Sequence, residues 1–221
     1  MGIRGILALA ISPARGVHIQ VFLIALCGLL ALKASAVNSS LQPEEVQDAY
    51  SLGQTSNHEE LADFLNQYEH DFKYPADNPV AYVQSVEFQT PYEQIVLRAM
   101  RTIGYSKFKA DEDYRANPGL IIVRVVVALK LNYSGLVPAA DSFQVVASQT
   151  KPIEPRKATS NLICDPYSLF SPTVSNDCSI YTREILLSFD AVQFAPGRAN
   201  VKVTLPFGQS LETKYNLDKL K

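Results

Sequence analysis

Beyond the first 36 residues, the side chains whose types and spacing could do chemistry are two cysteines, two sequon asparagines and two histidines. Cys164 and Cys178 enclose 13 residues. A loop of that size closes readily in an oxidising compartment, and the disulfide it predicts stabilises by roughly 3 kcal/mol on a chain-entropy estimate; two free thiols are the alternative. The cysteine spacing does not suit zinc, for which only His58 and His70 remain as further ligands. Asn38-Ser39-Ser40 and Asn132-Tyr133-Ser134 become N-glycosylation acceptors if the chain enters the secretory pathway.

A serine or cysteine nucleophile needs a base within hydrogen-bond reach. Both histidines sit amid acids, as His58-Glu59-Glu60 and Glu69-His70-Asp71, and their separation is not the four-residue spacing of a metallohydrolase helix. They read as a solvated polar face. Asp111-Glu112-Asp113 has no apolar neighbours to desolvate it and reads as a solvated turn in a loop from Ser106 to Pro118. No catalytic signature and no glycine-rich phosphate cradle is present, so the expectation is a non-enzyme that uses no cofactor or metal.

The compartment follows from the start of the chain. No acidic residue occurs before Glu44, Arg4 and Arg15 supply positive charge, and an apolar run from Val21 to Leu32 leads to Ala34-Ser35-Ala36. This is the layout of a secretory signal peptide over residues 1–36, with an apolar block too short to cross a hydrocarbon core of ~30 Å comfortably. A signal anchor running from Val17 to Leu32 and a mitochondrial presequence are the other readings. Secretion or residence in the lumen of the secretory pathway is the prediction. Without Arg4, Arg15 and Lys33 the chain carries 17 basic against 22 acidic side chains, a net charge of −5, which argues against nucleic acid and anionic membranes as partners. A membrane enters only if the N-terminal segment is retained.

The elements that must position these residues divide into two stretches. Residues 37–78 form an acidic helical extension. Gln42-Pro43-Glu44-Glu45 starts one helix that Gly53 can stop, and Ser56-Asn57-His58-Glu59 starts a second, with Leu61, Phe64, Leu65, Tyr68 and Phe72 on one face. Tyr74-Pro75 through Pro79 breaks the pattern. Residues 79–221 form the main domain. A strand from Val80 to Phe88 precedes Thr90-Pro91-Tyr92-Glu93, in which Thr90 caps a helix and Glu93 reaches back to close the box. Tyr92, Ile95, Val96, Ala99, Met100 and Ile103 then form an apolar stripe that predicts an apolar sheet face to receive it.

Ile121 to Tyr133 alternates strictly, with apolar residues at odd positions and Arg124, Lys130 and Asn132 at even ones, which points the Asn132 acceptor to solvent. Phe143 to Ser148, Ile185 to Phe194 and Val201 to Leu205 read as further strands, and a parity shift near Asp190 suggests a bulge. Lys151 to Asn161 and Asp165 to Asp177 read as loops. The connections carry no helical period, so the class is α+β, an antiparallel sheet of about five strands packed by one amphipathic helix.

A helix on an antiparallel sheet, then Gln144-Val145-Val146-Ala147-Ser148, a cysteine-bounded loop, Leu187-Ser188-Phe189 and a Pro196-Gly197 hairpin resembles the order of elements in the cystatins over roughly residues 90 to 206. The resemblance implies a fold in which Gln144, Val145, Val146 and Ala147, with Pro196 and Gly197, form hairpins that enter a cysteine-protease cleft. Ser148 stands where the motif has glycine, and Gly197 where it has tryptophan. The main expectation is a disulfide-stapled glycoprotein that binds a protein partner. Protease inhibition, and an accessory-subunit role in a membrane complex, are the alternatives.

Overall fold

The structure is a computed structural model, described for residues 40–75, 80–130, 138–164, 180–206 and 208–221. The leader, both sequon asparagines, Cys178 and the loop from Asp165 to Asp177 lie outside the described residues.

Helix α1 (Pro43–Gly53) begins as its sequence predicts, with proline in the first turn and the Gln42 backbone N–H donating to the Glu45 carboxylate at 2.7 Å. Helix α2 (His58–Leu65) is capped by Asn57, whose side chain accepts from the Glu60 N–H. It stops well short of Phe72. Tyr68 drops into the core, its carbonyl accepts from the Phe88 N–H at 2.9 Å, and Glu69–Asp71 becomes strand β1 on the edge of β2 (Ala81–Gln89). A free strand edge supplies backbone partners that a further helical turn would have had to find alone.

Helix α3 (Pro91–Arg101) is capped by Thr90, whose hydroxyl accepts from the Glu93 N–H at 3.3 Å. The Glu93 side chain does not close the box: neither of its carboxylate oxygens has a donor. Helix α4 (Lys107–Ala116) occupies the stretch expected as a loop. It buries only Ala110, so its sequence shows no apolar period, and it is held by the Ser106 cap and by Lys109 bridging Glu112 and Asp113.

Strand β3 (Leu120–Lys130) follows its alternation, with every odd side chain from Ile121 to Leu129 buried. Then come β4 (Gln144–Ser148), β5 (Pro152–Ile153), β6 (Lys157–Cys164), β7 (Ile180–Asp190), β8 (Arg198–Thr204) and β9 (Ser210–Asn216). The stretch from Lys151 to Asn161, expected as a loop, thus contains β5, which folds back antiparallel to its neighbour β4, and the start of β6, which pairs antiparallel with β7. The parity shift near Asp190 is a 3-10 turn, Ala191–Gln193, that sends both Ala191 and Phe194 into the core; it is not a bulge within the strand.

The class is α+β, and among the described residues all strand pairs are antiparallel. Two sheets share the strands: β1-β2-β3-β7-β6 and β5-β4-β8-β9. One core cluster draws on both, from Val86 and Phe88 through the odd residues of β3 to Leu187, Phe189, Val201, Val203 and Tyr215. The Tyr215 hydroxyl donates across it to the Val86 carbonyl at 2.6 Å. A second cluster lies among the helices, built from Val46 and Ala49 of α1, Leu61 of α2, Tyr92, Ile95, Val96 and Ala99 of α3, and Ala110 of α4. The apolar stripe of α3 is therefore received by other helices. Gly53 is the closest approach, since a Cβ there would lie 2.4 Å from the Val96 carbonyl oxygen and 2.7 Å from the Ala99 Cβ. Ser35–Lys221 forms a single unit, in which Phe64 touches both clusters.

Candidate functional site

Among the described residues no group of three or more histidines, cysteines or acids is placed to hold a metal. His58 lies at the start of α2, whereas His70 lies on β1 with its ring edge-on to Tyr215 at 5.0 Å. The two histidines therefore do not converge on one site.

Gln144, Val145, Val146 and Ala147 form β4 itself, paired with β8 on one side, and Ala147 is buried in the core. Pro196, exposed, and Gly197, half-buried, form a turn in which Gly197 adopts φ 111°. Register places Gln144 away from the turn, across from Thr204 at the end of β8, whereas Ala147 lies opposite Val201, four residues after Gly197, so the turn lies towards the C-terminal end of β4. The Pro196-Gly197 turn is joined instead to the residue after β4, where the Gln149 side-chain amide donates to the Ala195 carbonyl and its oxygen accepts from the Ala195 N–H, both at 2.8 Å. Cys164 ends β6, opposite Tyr181.

Two features missed by sequence patterning stand out. One is the corner between α3 and α4. Ile103 is fully exposed, Phe108 is 75% exposed and Met100 is also exposed, while Tyr105 between them turns inward. The corner is cross-braced by side chains. The Arg98 guanidinium clamps α3 to the Asp113 carboxylate of α4 at 2.6 Å, the Tyr105 hydroxyl donates to the same carboxylate at 3.1 Å, and the Tyr50 hydroxyl reaches the Tyr105 carbonyl. Burial together with the Asp113 charge pushes the Tyr105 phenol up to about 12. Burial works against ionisation of Asp113 as well, yet hydrogen bonds from Arg98, Lys109 and Tyr105 outweigh it and hold its carboxyl below the ordinary range. Gly104, at φ 78°, makes the reversal that lets Ile103 point out while Tyr105 points in. Beside the corner a shallow groove runs between α3 and the sheet, lined by Gln89, Leu97, Arg98, Arg101 and Ile122.

The second feature lies beneath α3. On one rung of the sheet Glu69, Glu87 and Arg124 stand side by side. Glu87 accepts from the Gln89 side-chain amide at 2.6 Å and meets Arg124 at 3.4 Å, and Arg124 is shared with Glu184 at 2.6 Å. Glu93 faces Glu87 from the first turn of α3 and is completely buried. Burial, reinforced by the Glu87 charge, raises its carboxyl well above the ordinary range. The capping-box spacing conceals this arrangement, because Thr-x-x-Glu predicts a solvated carboxylate at the helix start.

Compared with known proteins, no family model and no curated protein matches the chain.

Proposed function

We propose that this protein is a secreted or endomembrane-lumen glycoprotein that acts by binding a protein partner, without catalysis, and that the corner between α3 and α4 is its contact surface. The observation that carries this reading is the exposure of Ile103 and Phe108 on a connection braced by hydrogen bonds. Single exposed apolar residues are ordinary on protein surfaces. Here two large ones flank a connection pinned by Tyr105 and by the Arg98–Asp113 clamp, so the side chains are presented in a fixed arrangement and binding would order little of the backbone. Arg101 and Lys107 beside them complement a partner with an apolar pocket and an acidic rim. The leader, the two sequons at Asn38 and Asn132, and the Cys164–Cys178 spacing support export, oxidation and glycosylation.

The test compares the protein with its Ile103→Asp, Phe108→Asp double variant after expression in a secreting cell. Export predicts a mature N-terminus at Val37, glycosidase-sensitive mass and no free thiol. The double variant is expected to melt at the parent temperature and to lose the cross-linked partner. A partner retained at full yield by a folded double variant removes this surface from the reading, and an intact leader with both thiols reduced removes export.

A further inference from the structure

Among the described residues the side-chain atoms that are buried without any partner are both carboxylate oxygens of Glu93 and the Arg183 Nε. A buried acceptor with no donor is destabilising, and more so when charged, so a structure that keeps one calls for an occupant. No donor lies within hydrogen-bond reach of the Glu93 oxygens, and most of those nearby are engaged elsewhere. Gln89 and Arg124 serve Glu87, Arg124 also serves Glu184, and the Tyr215 hydroxyl donates to the Val86 carbonyl. The charged and titratable groups that act on Glu93 are Glu87 from β2, Glu69 from β1, Tyr68 from the turn before β1, Tyr215 from β9, and Arg101 from α3 itself, about two turns further along and exposed. Tyr68 is held as the neutral phenol by burial, its hydroxyl pushed up to about 12, and burial likewise raises Tyr215 above its usual range. The balance of the charges that act on Glu93 is negative.

We propose that the buried, unpartnered Glu93 binds a proton and donates it in a hydrogen bond to the Glu87 carboxylate, and that this contact controls how firmly α3 is seated against the five-stranded sheet. A proton taken from solvent converts the Glu93 carboxylate to the acid, whose O–H donates to a Glu87 oxygen; no other bond changes. That supplies the missing donor and removes one of two like charges. A metal ion is a poorer occupant, because two carboxylates with a guanidinium 3.4 Å from one of them make a weak and competed ligand set.

The direction of the pH effect follows from linkage. Glu93 has a higher affinity for the proton in the folded protein than in the unfolded chain, so the stabilisation is complete below the ordinary glutamate range near ~4.3. It declines as pH rises through the folded value, by up to about tenfold in the folding equilibrium per pH unit. Loss of the proton places two charges at the junction of β2 and α3, and α3, with α1 packed on it, is the element released.

Three measurements on the full chain test this. Thermal unfolding from acid to mildly alkaline pH is expected to show Glu93→Gln, which keeps the donor without the charge, gaining on the parent as pH rises; a gap that stays constant overturns the proposal. Infrared spectra near pH ~5.5, about a unit above the ordinary glutamate range, are expected to contain the C=O stretch of a buried protonated carboxyl that bleaches at higher pH; its absence overturns the proposal. Glu87→Gln removes the like charge and is expected to move that bleaching to lower pH, and an unmoved transition overturns the pairing, so the question is decided even if Glu93→Gln does not fold. Hydrogen-exchange protection of the α3 amides, corrected for intrinsic rates, falls with pH in the parent and stays level in Glu93→Gln if α3 is the released element; equal profiles overturn that coupling.

Discussion

The two interiors of this molecule are built differently. Between the sheets the core is continuous and apolar, with Phe88 edge-on to Phe194 at 5.3 Å and Phe194 edge-on to Phe189 at 5.6 Å. The helical layer has a small core of Val46, Ala49, Val96 and Ala99, closed by a glycine, and beneath α3 it rests on a polar rung containing Glu87, Gln89 and Arg124. Apolar contact is non-directional and tolerates pH, whereas a buried polar rung holds only while each group has its partner. The sheets are therefore expected to set global stability, and the helices to be the part that conditions can loosen.

Substitutions can break or sharpen this contrast. The largest effect is expected from Phe189→Ala, which removes a completely buried ring from between the sheets and should cost about 3–5 kcal/mol. Urea unfolding measures it, and a loss below 1 kcal/mol would show that the sheet core is not the principal store of stability. Gly53→Ala comes next, because the new methyl meets backbone at Val96 and the Ala99 side chain; a loss of about 1–3 kcal/mol is expected, with hydrogen exchange rising in α1 and α3 before β3. Uniform acceleration in β3 as well would show that layer and sheets unfold as one. The smallest change is expected from Arg98→Ala. Its partly exposed pair with Asp113 contributes about 0.2–1 kcal/mol, so the melting temperature should move little while the corner carrying Ile103 and Phe108 loosens and partner binding weakens. Unchanged binding would show that the clamp is not what organises the corner.

The sequence displays the first interior better than the second for a physical reason. A half-buried strand must alternate, so β3 is legible residue by residue from Ile121 to Leu129, and Thr90-Pro91 marks the start of α3 because its cap is local. Nothing local tells α3 that its stripe meets helices instead of a sheet, or that α4, which buries little besides Ala110, folds at all. β1 and β6 exist because distant strands offer them edges. Glu87 shows the same limit: it alternates with Val86 and Phe88 as an outward residue should, and is 3% exposed all the same. Ile103 is the converse, an apolar residue in register with a buried stripe that lies beyond the end of its helix, at Arg101.

The pairing of β3 with β7 has a consequence for how the chain comes together. Leu120 lies opposite Asp190 and Lys130 opposite Ile180, and the residues for β4, β5 and β6 all come between the two strands. As the polypeptide is made, the valine-rich stretch from Ile121 to Val127 must wait, with β2 along one side only, until some fifty to seventy further residues have emerged. Such distant pairings make folding slow, on the order of milliseconds to seconds, and leave a sticky strand uncovered in the interval. This protein is thus expected to depend on chaperones during synthesis far more than its finished structure would suggest.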